Sequence, residues 1–271
     1  MGRKKIRHYL IPERSSQRDT IASICKMLDL EGVARSFENI AERINQSHGT
    51  LYDFLASILE KEMVYKEENR IERWTQQARF CYKRTIEEFD FDFQPSIDRR
   101  LINELATCRF IEKGKNIIFV GKPGVGKTHL AIGLGLEAIN SGYETRFLKL
   151  DEFIDRVEEE KETHSTAKIF KMFVRPHLLI LDDIDFYQTG ENAGTVLFRL
   201  ICRRYETGVS TIFTSNKNSS EWGKLFGPPQ RATAALDRII GNAIAIKITG
   251  PSYRVSEKVK NGEIIGEKEL N

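Results

Sequence analysis

The feature that most restricts this chain is an eight-residue loop. Gly121, Lys122, Pro123, Gly124, Val125, Gly126, Lys127 and Thr128 spell G-x-x-x-x-G-K-T. An apolar run, NIIFV, precedes the loop and a helix-forming run, HLAIGLGLEAI, follows it, so the loop joins a buried strand to a helix. Glycines let successive backbone N–H groups turn toward one phosphate, and the start of the helix adds positive potential. Lys127 is placed to reach β- and γ-oxygens, and the Thr128 hydroxyl to ligate Mg²⁺. The loop therefore predicts a nucleoside-phosphate site on a sheet-and-helix scaffold.

Short β-rich runs recur at 116–120, 144–148, 178–182, 211–215 and 243–248, with segments between them long enough for crossover helices. That alternation predicts an α/β fold, a parallel sheet with helices on both faces. The run Leu178-Leu179-Ile180-Leu181 ends in Asp182-Asp183. An acid at the end of a strand beside the loop holds the water shell of Mg²⁺, which assigns Asp182 to the metal. Asp183 then polarises the attacking water, with a side chain one methylene shorter than the more usual Glu. Taken alone, two acids after a strand also read as a polar strand end. Asn216 follows the run Thr211–Ser215 and would orient that water by hydrogen bonding; alone, it also reads as a turn residue. In Leu236-Asp237-Arg238-Ile239-Ile240, Arg238 suits an arginine finger reaching the nucleotide of a neighbouring subunit. An ordinary surface arginine is the plain alternative, and Arg231 competes for the role. Arg254, in Gly250-Pro-Ser-Tyr-Arg254, is placed to approach phosphate or DNA.

Composition bounds the rest. The chain has 271 residues, 40% of them hydrophobic, and only 7 Pro, so it is neither low-complexity nor broadly disordered. That length suits one large domain or two modest ones. Its net charge of +3 does not by itself imply nucleic acid. The charge is uneven, however: residues 1–18 carry six Lys or Arg against one Glu, a net of +5, which leaves −2 for the remainder. A flexible basic arm is the simple reading, and an arm that meets phosphates is the alternative should the body bind DNA. Cys25, Cys81, Cys108 and Cys202 are far apart, without zinc-ligand spacing, and read as free thiols in a reducing compartment. There is no apolar signal segment at the start and no run near the ~18 residues needed to cross a bilayer. The expected location is cytoplasmic, without a membrane partner.

Before the loop the pattern is helical. Residues 19–46 suit two short helices broken near 29–32, and Thr50 with Asp53 caps a longer one. That helix carries Leu51, Phe54, Leu55, Ile58 and Leu59, then a charged stretch running to Arg84. Lys61, Lys66, Arg70, Arg73, Arg79, Lys83 and Arg84 form either a solvated face or a stripe toward DNA. The run FDFDFQP, 89–95, reads as an extended linker. The expected organisation is a basic arm, 1–18, a small all-α N-terminal domain, 19–88, a nucleotide-binding core, 89–256, and a polar tail, 257–271.

With these elements in order, the chain resembles the IstB-like AAA+ ATPases, helper proteins of insertion sequences that are related to the DnaC helicase loaders. The resemblance spans roughly residues 20–256. It rests on MLDLEGVARSFENIAE, LYDFLASILEKE and NRIERWTQQARF near the start, and on ATCRFIEKGKNIIFVGKPGVGKTHLAIGLG around the loop. The narrowest part is TIFTSNKNSSEWGKLFGPP, then AALDRII, then GPSYR. The resemblance implies an AAA+ P-loop fold that binds ATP with Mg²⁺, oligomerises on double-stranded DNA and assists a cognate transposase. Lys127, Thr128, Asp182, Asn216 and Arg238 fall on the family's nucleotide-site positions. Asp183 departs from the family's usual Glu, which implies slow hydrolysis. A helicase loader acting on single strands, and a scaffold that uses ATP only to assemble, are the competing readings.

Overall fold

In the computed structural model, which describes residues 16–163, 166–184 and 191–260, the first helix begins where a serine caps it. Helix α1 is Gln17–Leu28, and the Ser16 hydroxyl accepts the Asp19 N–H while the Ser16 N–H donates to the Asp19 carboxylate, both at 3.2 Å. The helix ends at Asp29, whose backbone is left-handed at φ 60°. Helix α2 is Glu31–Gln46 and helix α3 is Leu51–Ala78. Thr50 and Asp53 form the expected capping box at the head of α3, with the Asp53 N–H donating to the Thr50 hydroxyl at 3.2 Å.

By its contacts the chain divides between Arg73 and Trp74 into two units. The first closes over a small core of Cys25, Val33, Ile40 and Ile58. A charged residue helps hold it together. Glu62 is only 5% exposed, and its Oε2 accepts the Val33 N–H at 2.9 Å. That carboxylate does the work of a cap for α2, because Leu30 at the head of that helix has no polar side chain to offer.

The second unit opens with α4, Arg99–Ala106, and α5, Arg109–Glu112, and then alternates strands with helices. In order these are β1 Asn116–Gly121, α6 Lys127–Asn140, β2 Thr145–Lys149, α7 Leu150–Thr163, α8 Thr166–Val174, β3 Leu178–Asp182, α9 Glu191–Thr207 and β4 Ser210–Ser215. A 3₁₀ helix Ser219–Phe226, helix α10 Pro229–Ile240, strand β5 Ala243–Ile248 and helix α11 Tyr253–Lys260 complete it. The strands pair in parallel in the order β2-β3-β4-β1-β5.

Alternation along each strand builds two cores. Ile117, Phe119, Leu178, Ile180, Ile212 and Ile246 face α4, α5 and α6 on one side. Ile118, Leu179, Leu181 and Phe213 face α7, α8, α9, the 3₁₀ helix and α10 on the other. With both faces covered, β1 and β3 read as continuous apolar runs. Among the described residues no helix is long and apolar enough to cross a membrane, and the four cysteines are free thiols.

Arg204 anchors the end of the sheet where the strands begin. Its guanidinium is buried and donates to the carbonyls of Phe173 at 2.7 Å and Pro176 at 3.0 Å, to the Thr211 hydroxyl at 2.9 Å, and to the Ser210 carbonyl. Burial pushes its pKa down to about 9.

Several features differ from the sequence reading. Helix α3 stops at Ala78, with Arg79 left-handed at φ 59°, so Lys83 and Arg84 lie beyond it. The 89–95 run is no linker, because Phe89 is buried in the sheet unit's core beside Ile86 and Ile97. Phe80 and Ile86 pack into the same core, and the contact boundary accordingly falls before Trp74 rather than after residue 88. Residues 16–18 belong to the capped start of α1 and 257–260 to α11; the rest of the expected arm and tail lies outside the described residues.

Replacing Glu62 by Ala strands the buried Val33 N–H and is expected to cost about 1–3 kcal/mol. Urea denaturation of the full chain measures this, with Glu62→Gln, which keeps an acceptor, losing less. Equal stability of Glu62→Ala and the parent would contradict the capping role.

Candidate nucleotide-binding site

Strand β1 lies between β4 and β5 and delivers the loop to the carboxyl ends of the strands, where open parallel sheets bind ligands. Gly124 and Gly126 have φ of 78° and 98°, the left-handed region that favours glycine. Space is also lacking at both: a Cβ on Gly126 would stand 2.5 Å from the Phe89 ring, and one on Gly124 would run into the Ser252 hydroxyl. Gly126 is the cap of α6, so the first N–H groups of that helix open toward the loop.

Lys127 is 5% exposed, and its ammonium is held inside the loop it belongs to. It donates to the Gly121 carbonyl at 2.8 Å, the Lys122 carbonyl at 3.0 Å and Asn216 Oδ1 at 2.6 Å. Thr128 donates its hydroxyl proton to Asp182 Oδ1 at 2.8 Å. The structure therefore brings together four predicted residues from α6, β3 and the end of β4. Lys127, Thr128 and Asn216 border a cavity of about 980 Å³ that Pro123, Gly124, Asp183 and Arg254 also line, with Asp182 buried behind Thr128.

Asp182 is buried at 1% exposure, whereas Asp183 is exposed at the cavity wall. Burial pushes the Asp182 carboxyl above the ordinary aspartate range. The Asp183 carboxylate adds to this, while the Thr214 and Thr128 hydroxyls and the Lys149 ammonium pull the other way. The Asp183 backbone is left-handed at φ 52°, a conformation that Asp tolerates better than most residues. A hydroxyl and a carboxylate bonded together at the head of a helix are hard oxygen donors of the kind Mg²⁺ takes alongside phosphate oxygens. Among the described residues no group of three or more His, Cys, Asp or Glu side chains gathers into a metal cage.

The turn that presents Asn216 is fixed from below. Trp222, 2% exposed, donates its indole N–H to the Ser215 hydroxyl at 3.1 Å, and the Lys217 N–H donates to the same oxygen at 3.0 Å. The SEWGKLF stretch thus acts as a foot under the end of β4.

Sequence reasoning missed one wall. Tyr82, Arg84 and Glu88, from the stretch assigned to the helical N-terminal domain, and Asp90 and Phe93, from the 89–95 run read as a linker, line the cavity. The 249–254 segment closes against them. The Tyr253 N–H donates to the Gly124 carbonyl at 2.9 Å and the Tyr253 phenol to the Asp90 carbonyl at 2.5 Å, while Gln94 donates its amide N–H to the Pro251 carbonyl at 2.5 Å. Burial pushes the Tyr253 phenol up to about 12, so it remains a donor. The alternation of aromatic and acidic residues in FDFDF was the available signal.

Arg254 reaches the cavity, but Arg238 does not. Arg238 donates to the Ala234 carbonyl at 2.8 Å and lines a separate recess of about 470 Å³ with Asn116 and Thr211, where β1 and β4 begin. Arg231 is bonded to the Thr195 hydroxyl at 2.7 Å.

The sequence profile of the family described as IstB-like ATP binding protein matches residues 23–261. The chain is 37% identical over 241 residues to a Geobacillus stearothermophilus protein named for ATP binding in insertion sequence IS5376; the match covers 89% of this chain and 96% of that one. It is also 37% identical over 235 residues to a Pseudomonas aeruginosa protein named in the same way for IS21, covering 87% and 88%. Among solved structures the fold is similar to AMPPCP-bound DnaA from Aquifex aeolicus, at 23% identity and a TM-score of 0.53 over 71% of this chain and 59% of that one. It is likewise similar to the DnaC helicase loader, at 23% identity and a TM-score of 0.50 over 65% and 98%. These likenesses identify the sheet unit as an AAA+ P-loop fold.

A raised pKa means that the native chain holds the Asp182 proton more tightly than the unfolded one does. Stability without nucleotide therefore falls as pH rises through the carboxylate range, from about 4, and levels off above the native pKa. Asp182→Asn removes that cost while keeping an oxygen for both hydroxyls. Its apo thermal midpoint at neutral pH is expected to exceed the parent's by about 2–4 °C per kcal/mol relieved, and the gap to narrow toward pH 4. A lower midpoint at pH 7 would contradict the assignment.

Proposed function

The chain belongs to the IstB-like ATP-binding proteins of insertion sequences, an AAA+ family, and from that premise we propose that it is an ATPase that assembles on double-stranded DNA and assists its element's transposase in selecting and entering a target. The observation that carries the reading is the bond from Thr128 to Asp182 at the mouth of the glycine loop. It puts a hydroxyl and a carboxylate from distant segments where a nucleotide's cation would sit.

In this reading the loop's N–H groups and the head of α6 cradle the phosphates. Lys127 exchanges the carbonyls of Gly121 and Lys122 for phosphate oxygens, and Arg254 approaches from α11. Mg²⁺, when bound, supplies charge neutralisation at the β- and γ-oxygens, and Thr128 and Asp182 are the residues that would hold it. Asn216 orients the attacking water and Asp183 takes its proton. Asp183 is a short base, and misplacement by ~1 Å costs ~10²-fold, so turnover is slow and ATP-bound assemblies persist. Arg238, remote from its own chain's cavity, serves a neighbouring subunit's nucleotide.

Contact with DNA is carried by phosphate-facing cations. Lys61, Arg73, Arg79, Lys83 and Arg84 are exposed, whereas Lys66 and Arg70 pair with Glu62 at 3.4 Å and Glu67 at 2.5 Å and contribute less. Self-association uses the first half of α3, where Leu51, Leu55, Leu59 and Met63 repeat every fourth residue and are all more than half exposed. The insertion-sequence relatives point to a transposase as the partner, and the work is done in the cytoplasm.

The test is the size of the purified protein on a duplex and on a single strand of equal length, with and without ATP and Mg²⁺. A large assembly that requires both ATP and duplex is expected, and Lys127→Ala abolishes it. Assembly on single strands alone would favour the helicase-loader reading instead. The log of duplex affinity is expected to fall linearly with log salt; a flat response would exclude backbone contacts. Asp183→Asn is expected to retain ATP but lose at least ~10²-fold in turnover, and unchanged turnover would remove Asp183 from the mechanism.

A further inference from the structure

Thr214 stands between the two acids of the site and touches both. It lies in β4, two residues before Asn216, and is fully buried. Its hydroxyl accepts the Asp183 N–H at 2.9 Å and bonds Asp182 Oδ1 at 2.5 Å. A hydroxyl has a single proton, and a carboxylate oxygen can only accept, so that proton belongs to the Asp182 contact. The Thr214 carbonyl also accepts the Ile184 N–H at 2.8 Å. One residue therefore holds the backbone on both sides of the bend at which Asp183 turns left-handed, as well as the carboxylate before it.

The two hydroxyls on Asp182 are not equivalent. Both bond Oδ1, but Thr128 sits on the phosphate loop and would itself be a cation ligand, whereas Thr214 does not line the cavity. The Thr214 contact is made wholly within the sheet, between β4 and the end of β3. We propose that Thr214 is a positioning residue for the metal–nucleotide site, fixing the Asp182 carboxylate toward the cation's shell and turning Asp183 to the cavity. Partners behind a ligating carboxylate set its orientation, and their loss typically weakens metal affinity 10–100-fold. This inference rests on the proposed Mg²⁺–ATP site.

Thr214→Val keeps the volume and removes the hydroxyl; Thr214→Ser keeps the hydroxyl. The readout is the affinity of the full chain for a fluorescent ATP analogue, measured with Mg²⁺ and again with EDTA. The parent and Thr214→Ser are expected to bind more tightly with Mg²⁺. Thr214→Val is expected to match the parent in EDTA and to lose about tenfold or more of the Mg²⁺-dependent tightening, with kcat falling more than KM changes. A purely structural role would weaken binding equally in both buffers. If Thr214→Val does not fold, Thr214→Ala makes the same comparison. Full Mg²⁺ tightening in either hydroxyl-free variant, or its loss in folded Thr214→Ser, overturns the inference while leaving the ATP site intact. A parent that binds no analogue at all overturns the site itself.

Discussion

A carboxylate placed inside protein is costly unless its oxygens are bonded, and the nucleotide site depends on one such group. Asp182 is held by hydroxyls 54 residues before it and 32 residues after it. Those contacts close only if β3, β4 and β1 lie side by side and end at the same level, because Thr128 arrives from the helix after β1 and Thr214 from β4. The strand order β2-β3-β4-β1-β5 meets that requirement. The same order puts the Lys127 ammonium within 2.6 Å of Asn216. Sheet register and site geometry are thus a single constraint.

The loop itself is gripped from outside the sheet. Phe89 fills the space that a side chain at Gly126 would need, and the Tyr253 N–H takes the Gly124 carbonyl. Tyr253 and Gln94 then tie the 89–97 and 249–254 segments to each other. At the far end of the strands, Arg204 ties the entries of β3 and β4 through carbonyls rather than through an acid. The cavity end is left to carry the charged groups that chemistry needs, and the other end carries the stiffness.

Much of this was legible in the residues. The loop, all five strands and the parallel sheet follow from local pattern, because buried parallel strands read as apolar runs and the glycines are spaced by the phosphate they wrap. The capping box at Thr50 was equally local. What could not be read depends on remote partners. Glu62 looks like one more charge on a solvated helix until the Val33 N–H meets it. FDFDFQP looks like a linker until Phe89 is set under Gly126. The end of α3 is hidden because no Gly or Pro marks it; the chain turns at Arg79 in a conformation few residues favour. Thr214 reads as an ordinary strand residue, since nothing local reveals that its hydroxyl faces two acids.

On the proposed reading, Lys127, Thr128 and Asp182 form one nucleotide site whose cation depends on the bound phosphates. Calorimetric titration of the purified chain with ATP, with Mg²⁺ and with chelator, tests it most directly. One ATP per chain is expected, tightened by Mg²⁺, with no detectable binding of Mg²⁺ without nucleotide. Tight Mg²⁺ binding to the chain alone, or ATP affinity indifferent to Mg²⁺, would contradict it.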